Sequence, residues 1–238
     1  MKLLNLGRKD YESTWALQKE LVEKRARDEI EDTLILVEHD PVYTMGRSST
    51  ETTKSIRVAG LGDVPVVVVE RGGKLTFHGP GQLVGYPIFK LTHRDLRRYL
   101  RDIENVLMTA LREEAELPVK PCPETLSLEP GQLGTGVWIV DRKIASIGIA
   151  VKHWVSYHGF ALNLSTDLRY FMAVNPCGFS GDVMTSVTVE RRASDIPEIK
   201  NRIVRGFENM SAAFAKFGNE TEVSENFRNE KLADIDVL

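Results

Sequence analysis

Cysteine is scarce: 238 residues contain only Cys122 and Cys177, too few for a disulfide framework. No apolar run approaches the roughly 20 residues of a membrane span. The opening Met1-Lys2-Leu3-Leu4-Asn5-Leu6-Gly7-Arg8 turns polar too soon for a signal peptide. Cys-x-x-Cys, His-Glu-x-x-His and carboxylate-rich loops are all missing, so no metal is expected. Gly-x-x-x-x-Gly-Lys-Ser/Thr is missing too, which removes a P-loop. A net charge of −3 gives no global drive toward nucleic acid. These absences lead us to expect a soluble, reduced, cytoplasmic protein with no metal or cofactor and no nucleic-acid or membrane partner.

What is present is a globular balance, 42% hydrophobic and 27% charged, in a chain long enough to bury a sizeable core. Periodicity predicts a helix over 10–30 with Tyr11, Trp15 and Val22 on its apolar face, then a strand from Thr33 to Val37. Further strands are expected at 64–69, 83–89 and 154–164, with Val66 to Val69 as a buried run. Leu96, Leu100, Ile103, Leu107 and Leu111 recur at helical spacing, and Pro118, Pro121 and Pro123 end that helix. Val137 to Val151 reads as a hairpin turning at Asp141-Arg142, with Lys143 at the turn. A last amphipathic helix is expected over 197–217. Helices interspersed with hairpins predict an α+β domain over 1–218, a mixed or antiparallel sheet flanked by helices, with an acidic, partly mobile tail at 219–238.

The valine run is followed by Arg71-Gly72-Gly73-Lys74-Leu75-Thr76-Phe77-His78-Gly79-Pro80-Gly81-Gln82. Glycine lets backbone approach a ligand closely. With Arg71 and His78 in the same stretch, the segment reads as a site; tight turns joining hairpin strands are the alternative. Cys177, in Asn175-Pro176-Cys177-Gly178-Phe179, reads either as a small buried hydrophobe or as a nucleophile displayed on a turn. Cys122 has the same two readings. A catalytic thiol needs a base or a cation beside it, for which His78, His153, His158 and Lys143 are candidates. His153 and His158 fall on opposite faces of an expected strand, unlike a ligand pair for a metal.

Together these blocks resemble a known family. Arg71-Gly72-Gly73-x-x-Thr76-x-His78-Gly79-Pro80-Gly81-Gln82 with Tyr86-Pro87-Ile88 is similar to the signature of the lipoyl(octanoyl) transferases. The resemblance extends to Tyr43-Thr44-Met45-Gly46-Arg47, Gly134-Thr135-Gly136-Val137-Trp138-Ile139 and Lys143-Ile144-Ala145-Ser146-Ile147-Gly148. It ends with His158-Gly159-Phe160-Ala161-Leu162-Asn163 and Asn175-Pro176-Cys177-Gly178. It implies a fold like the catalytic core of biotin and lipoate protein ligases. It also implies transfer of an octanoyl group from octanoyl-acyl carrier protein to a lysine of a lipoyl domain, as in 2-oxoacid dehydrogenases and the glycine cleavage H protein. By position, Cys177 would carry the acyl thioester and Lys143 would be its partner. Arg71 to His78 (Lys74, Leu75 and Phe77 included), Ser146, Ile147, Gly148, Gly159, Phe160 and Ala161 would line the acyl slot.

The chemistry fits that implication. A lysine ammonium beside a thiol favours the thiolate, and its neutral form accepts a proton from an attacking amine. Backbone N–H groups near Gly72-Gly73 or Gly148 are candidates for the developing oxyanion. Small residues at 159 and 161 would leave room for the chain. Arg94, Arg97, Arg98 and Arg101 share one helical face, either a solvated surface or a dock for an acidic carrier protein. Two other activities remain open: an ATP-dependent ligase on the same scaffold, and a non-catalytic acyl- or lipoyl-domain-binding module.

Overall fold

Neighbouring residues of the segment Thr33–His39 are apolar on both sides. Leu34 and Leu36 join one core, Ile35 and Val37 another, and all four are buried. A strand of that kind belongs inside a sheet covered on both faces, and that is where it lies. The computed structural model describes residues 1–46, 53–122, 134–174, 180–191 and 196–221. In chain order the elements are β1 (Lys2–Lys9), α1 (Tyr11–Ala26), β2 (Thr33–His39), β3 (Val42–Met45), β4 (Ser55–Val58), β5 (Gly62–Val68), β6 (Leu75–His78) and β7 (Gln82–Ile88). They continue with α2 (Leu96–Ala115), β8 (Gly136–Ile139), β9 (Arg142–Lys152), β10 (Val155–Asn163), the short α3 (Arg169–Met172) and α4 (Val187–Glu190), and α5 (Ile196–Thr221).

Six strands form one sheet in the order β1-β2-β7-β10-β9-β8, antiparallel except for the β1–β2 pair. Four form a second, β4-β5-β3-β6, in which β5 and β3 run parallel. Helices α2 and α5 cover one face of the large sheet, where Ile103, Leu107, Leu111, Ile203 and Phe207 are fully buried. Each such side chain contributes about 1.5–3 kcal/mol of transfer free energy. Asp95 caps α2, accepting from the Arg98 amide at 3.0 Å, and Glu116 ends it in the left-handed conformation. Helix α1 covers the opposite face, Tyr11 and Val22 packing with Ile35, Val84, Tyr86 and Ala161. The small sheet has its own core of Tyr43, Met45, Leu75, Phe77 and Phe171. The expected mixed sheet flanked by helices is therefore the observed architecture.

Several local expectations are corrected. Strands β1, β3, β4 and β6 carry no pattern that predicts them, and Leu75–His78 is a strand inside what reads as a loop. The turn after it, closed by Gln82 N to Gly79 O at 3.1 Å, passes the chain from the small sheet to the large one. Val66 to Val69 is not a buried run: Val68 is 61% exposed and Val69 only 3%, so the valines there reflect strand propensity more than burial. The hairpin turns at Val140-Asp141, one residue early, with Val140 at φ 55°. His153 is not in a strand. It and Trp154 form a two-residue turn with φ of 53° and 58°, the left-handed pair that matches strand twist. Gly159 does not open a slot: a Cβ there would lie 2.2 Å from the Gly85 carbonyl oxygen, so this glycine serves the close approach of β10 to β7. Helix α5 continues to Thr221, past the expected end at 217; the rest of the tail, like Arg47, Pro123 and Cys177, lies outside the described residues. Among the described residues no helix is long and apolar enough to cross a membrane, and no cluster of His, Cys, Asp and Glu could hold a metal ion.

Candidate active site

The seam between the two sheets opens into a cavity holding about 510 Å³ of space not filled by protein atoms, solvent at its mouth included. From the small-sheet side Arg71, Gly72, Gly73, Thr76 and His78 line it. From the large sheet come Lys143, Ser146, Ile147, Gly148, Gly159, Phe160 and Ala161. Twelve residues singled out in the sequence thus meet on one surface, although about 70 positions separate Arg71 from Lys143. Lys74, Leu75 and Phe77 do not line it. Strand alternation turns Leu75 and Phe77 to the other face, where Phe77 is fully buried and stacks on Tyr170 with ring centres 4.2 Å apart.

A hydrogen-bond chain fixes the polar wall. Arg71 Nη2 donates to the Thr44 carbonyl at 2.6 Å and to Thr44 Oγ1 at 2.9 Å. The amide of Gln82 donates to Phe77 O at 3.1 Å and Asn163 Oδ1 at 2.9 Å, so its Oε1 accepts from His78 Nδ1 at 2.8 Å. His78 Nε2 is then an acceptor, with Thr44 Oγ1 at 3.2 Å as donor. Both ring nitrogens are spent and burial holds the imidazole well below its usual pKa. His78 is accordingly a neutral brace rather than a base. His39 is fixed the same way. Its Nδ1 donates to Lys9 O at 2.9 Å, leaving Nε2 to accept from the Tyr86 hydroxyl at 2.8 Å.

The chain continues to Lys143. Asn163 Nδ2 donates to Thr185 O, and the Thr185 amide donates to Lys143 O, each at 2.9 Å. Thr185 belongs to the segment that follows Cys177, so that segment is stitched to the lysine's own strand. Lys143 does not sit on an exposed turn: it is the second residue of β9 and 1% exposed. Its Nζ lies 5.4 Å from the centre of the Trp138 ring. Burial pushes the Cys122 thiol up, with the Lys143 charge opposing, so Cys122 lacks the lowered pKa of an activated thiol. The Gly72 amide donates to Ile149 O at 3.2 Å, which removes it from the candidates for an oxyanion donor.

Tyr11, Val84, Tyr86, Thr135 and His158 also line the cavity; of these the sequence singles out only His158, as a candidate base. Tyr86 and Thr135 sit inside the recognisable blocks, a signal that was available. Tyr11 arrives from α1 and stacks on His78 with ring centres 5.8 Å apart. His158 adopts φ 55° within β10, a conformation costing about 1–2 kcal/mol for a non-glycine residue. Its amide leaves the ladder for Gln18 Oε1 at 2.8 Å. Burial lowers its pKa, and its Nε2 stays 3.8 Å from Glu70 Oε2, beyond hydrogen-bond reach.

The model of the lipoyl protein ligase A/B catalytic domain matches residues 10–208. An octanoyltransferase of Rubrobacter xylanophilus is 42% identical over 209 residues, 84% of this chain and 89% of the relative. One of Geotalea uraniireducens is 38% identical over 219 residues, 90% and 94% of the two chains. Among solved structures, a putative lipoate protein ligase from T. acidophilum with bound lipoic acid superposes with a TM-score of 0.67 at 18% identity, covering 92% of each chain. A lipoate-protein ligase A bound with ATP gives 0.63 at 17%, covering 94% of each. At that identity these two carry the fold alone.

Proposed function

Because the chain belongs to the lipoyl protein ligase A/B catalytic family, we infer that it is an acyltransferase that moves octanoyl groups in protein lipoylation. Its acceptors are lipoyl-bearing proteins, and we assign octanoyl-acyl carrier protein as donor. The observation that carries the reading is the buried Lys143 on the wall of a largely apolar cavity, its carbonyl bonded to the segment that follows Cys177.

Two exchanges at Cys177 account for the reaction. In the first, Lys143 takes the Cys177 proton and the thiolate attacks the thioester carbonyl of the donor. The new S–C bond forms, the carrier's S–C bond breaks, and the departing thiolate leaves with the proton from Lys143. In the second, a lipoyl-domain lysine amine attacks the Cys177 thioester. Its proton passes to neutral Lys143, the C–N bond forms, and Cys177 leaves as a thiolate that Lys143 then reprotonates. Both steps consume a thioester, so no nucleotide has to activate the acyl group. Ile147, Phe160 and Ala161 exclude water around the chain, and the Arg71–Thr44–His78–Gln82 brace keeps the wall in place.

The test is intact mass after incubation with octanoyl-acyl carrier protein, followed by a lipoyl domain. An octanoyl adduct on Cys177 that disappears as the domain gains mass supports the reading. Folded protein that forms no adduct and transfers nothing overturns it, and transfer only from free octanoate with ATP identifies a ligase.

For the carrier we propose the α2 face bearing Arg97, Arg98 and Arg101, with Arg94 beside it; all four are exposed, but Arg94 precedes the Asp95 cap and so does not share the helical face expected of it. Arg97→Glu with Arg98→Glu is expected to raise the KM for octanoyl-acyl carrier protein by about tenfold at low salt, as opposite charges across an interface do. An unchanged KM and salt dependence would leave that face merely solvated.

A further inference from the structure

We propose that Glu104 is a positioning residue for Lys143, acting through the amide of Gly136. The inference rests on the reading of Lys143 as the proton-transfer group. Glu104 lies on α2 between Ile103 and Leu107 and is 4% exposed, a place where a carboxylate persists only when its oxygens are bonded. Oε2 accepts from Arg101 Nη1 at 2.5 Å, and Oε1 accepts from the Gly136 amide at 3.0 Å. Glu104 therefore ties α2 to the first residue of β8.

Gly136 is the floor beneath the lysine stem. Its φ is +144°, and a Cβ on it would stand 2.7 Å from Lys143 Cε and 2.2 Å from Ala145 O. Main chain thus packs directly against the methylene next to the ammonium. Trp138 meets the head group: Lys143 Nζ lies over its ring, and its Nε1 donates to Gly134 O at 2.8 Å. Two pieces of β8 thus meet the lysine side chain, one pinned by Glu104 and one by the Gly134 carbonyl. A register shift between Val137 and Trp138 lets both meet the same lysine. Proton transfer needs the ammonium within hydrogen-bond reach of the thiol, so moving the floor misplaces the proton without touching the acyl wall at Arg71 to Gly73.

The test compares Glu104→Asp with Glu104→Gln, reading kcat, KM for the acyl donor, and the rate of Cys177 alkylation by iodoacetamide, followed by peptide mass. Aspartate keeps the charge but withdraws the acceptor by ~1.5 Å, one C–C bond. We expect kcat to fall about tenfold, because displacements of this size cost one to two orders of magnitude, with KM unchanged and alkylation slowed in parallel. Glutamine keeps an oxygen for the Gly136 amide and should restore kcat to within about threefold of wild type. Wild-type kcat in Glu104→Asp, or an equal loss in both variants, overturns the proposal.

Lys143→Ala separates the two layers. Undiminished alkylation and transfer in that variant would remove the reading of Lys143 itself. A loss there beside wild-type behaviour of Glu104→Asp would remove only the role of Glu104. In a Lys143→Ala background, Glu104→Asp should slow alkylation no further; an additive loss would mean that Glu104 acts on the fold and not through the lysine.

Discussion

Cys177→Ala is expected to lower octanoyl transfer by at least about 10⁴-fold, because removing a nucleophile that forms a covalent intermediate leaves only binding and electrostatic stabilisation. Among the described residues the cavity is walled by both sheets and α1, so the donor should still bind with its KM-derived affinity changed by less than about threefold, the mark of an interaction made only on the way to the transition state. Cys177→Ser poses the stricter question. A serine hydroxyl at the same place is a weaker nucleophile than a thiolate and forms an oxygen ester, so an adduct that accumulates and turns over slowly is the expected result. Cys122→Ala serves as the control. Its thiol is raised by burial, and its loss should leave transfer within about twofold, the size of an ordinary surface-level substitution. Transfer at the wild-type rate by Cys177→Ala would end the thioester mechanism.

The second large effect belongs to Lys143. Lys143→Ala is expected to reduce kcat by about 10²–10⁴-fold, the range for a positioned acid or base. It should also move the rate of Cys177 alkylation to higher pH, since a thiolate loses the cation that favours it. Lys143→Arg restores a charge but not the function. Guanidinium does not give up its proton at working pH, so it accepts none from the attacking amine in the second exchange, whereas in the first its charge still favours the Cys177 thiolate. The arginine variant should therefore acylate faster than the alanine variant yet deacylate as slowly. Equal rates of both half-reactions in the arginine variant would mean that Lys143 acts through its charge alone.

The large sheet and its helices are legible in sequence because burial imposes a period. Ile103, Leu107 and Leu111 mark the buried face of α2, and Asp95 and Glu116 bound it. Where burial does not impose a period the reading fails. Strand β6 is only four residues long and set among glycines, and β5 is apolar but half-exposed, so neither length nor hydrophobicity identifies their roles. The candidate site divides the same way. Motif residues such as Arg71, Lys143, Ser146 and Gly148 are visible because their blocks are recognisable, and the cavity gathers them. Glu104 and Tyr11 are not visible, because each reaches the site from a helix whose pattern records only which face is buried. The strain at His158 is a matter of φ, and no residue type announces it. Gly159 is the opposite case: its small size suggests room for a ligand, but the carbonyl of Gly85 occupies that space.

The seam that forms the cavity has a thermodynamic side. One wall belongs to the large sheet, sandwiched between α1 and the α2–α5 pair; the other belongs to the small sheet, held by far fewer buried side chains. Cooperative units with less buried apolar surface open at lower free energy than the rest of a protein. The two walls are therefore unequal partners, a stiff one carrying Lys143 and a compliant one carrying Arg71 and His78. On the proposed assignment of the cavity, an acyl chain lying between them would be shared core: it would supply the apolar surface that the small sheet lacks, and binding the substrate and completing the fold of that sheet would be coupled equilibria.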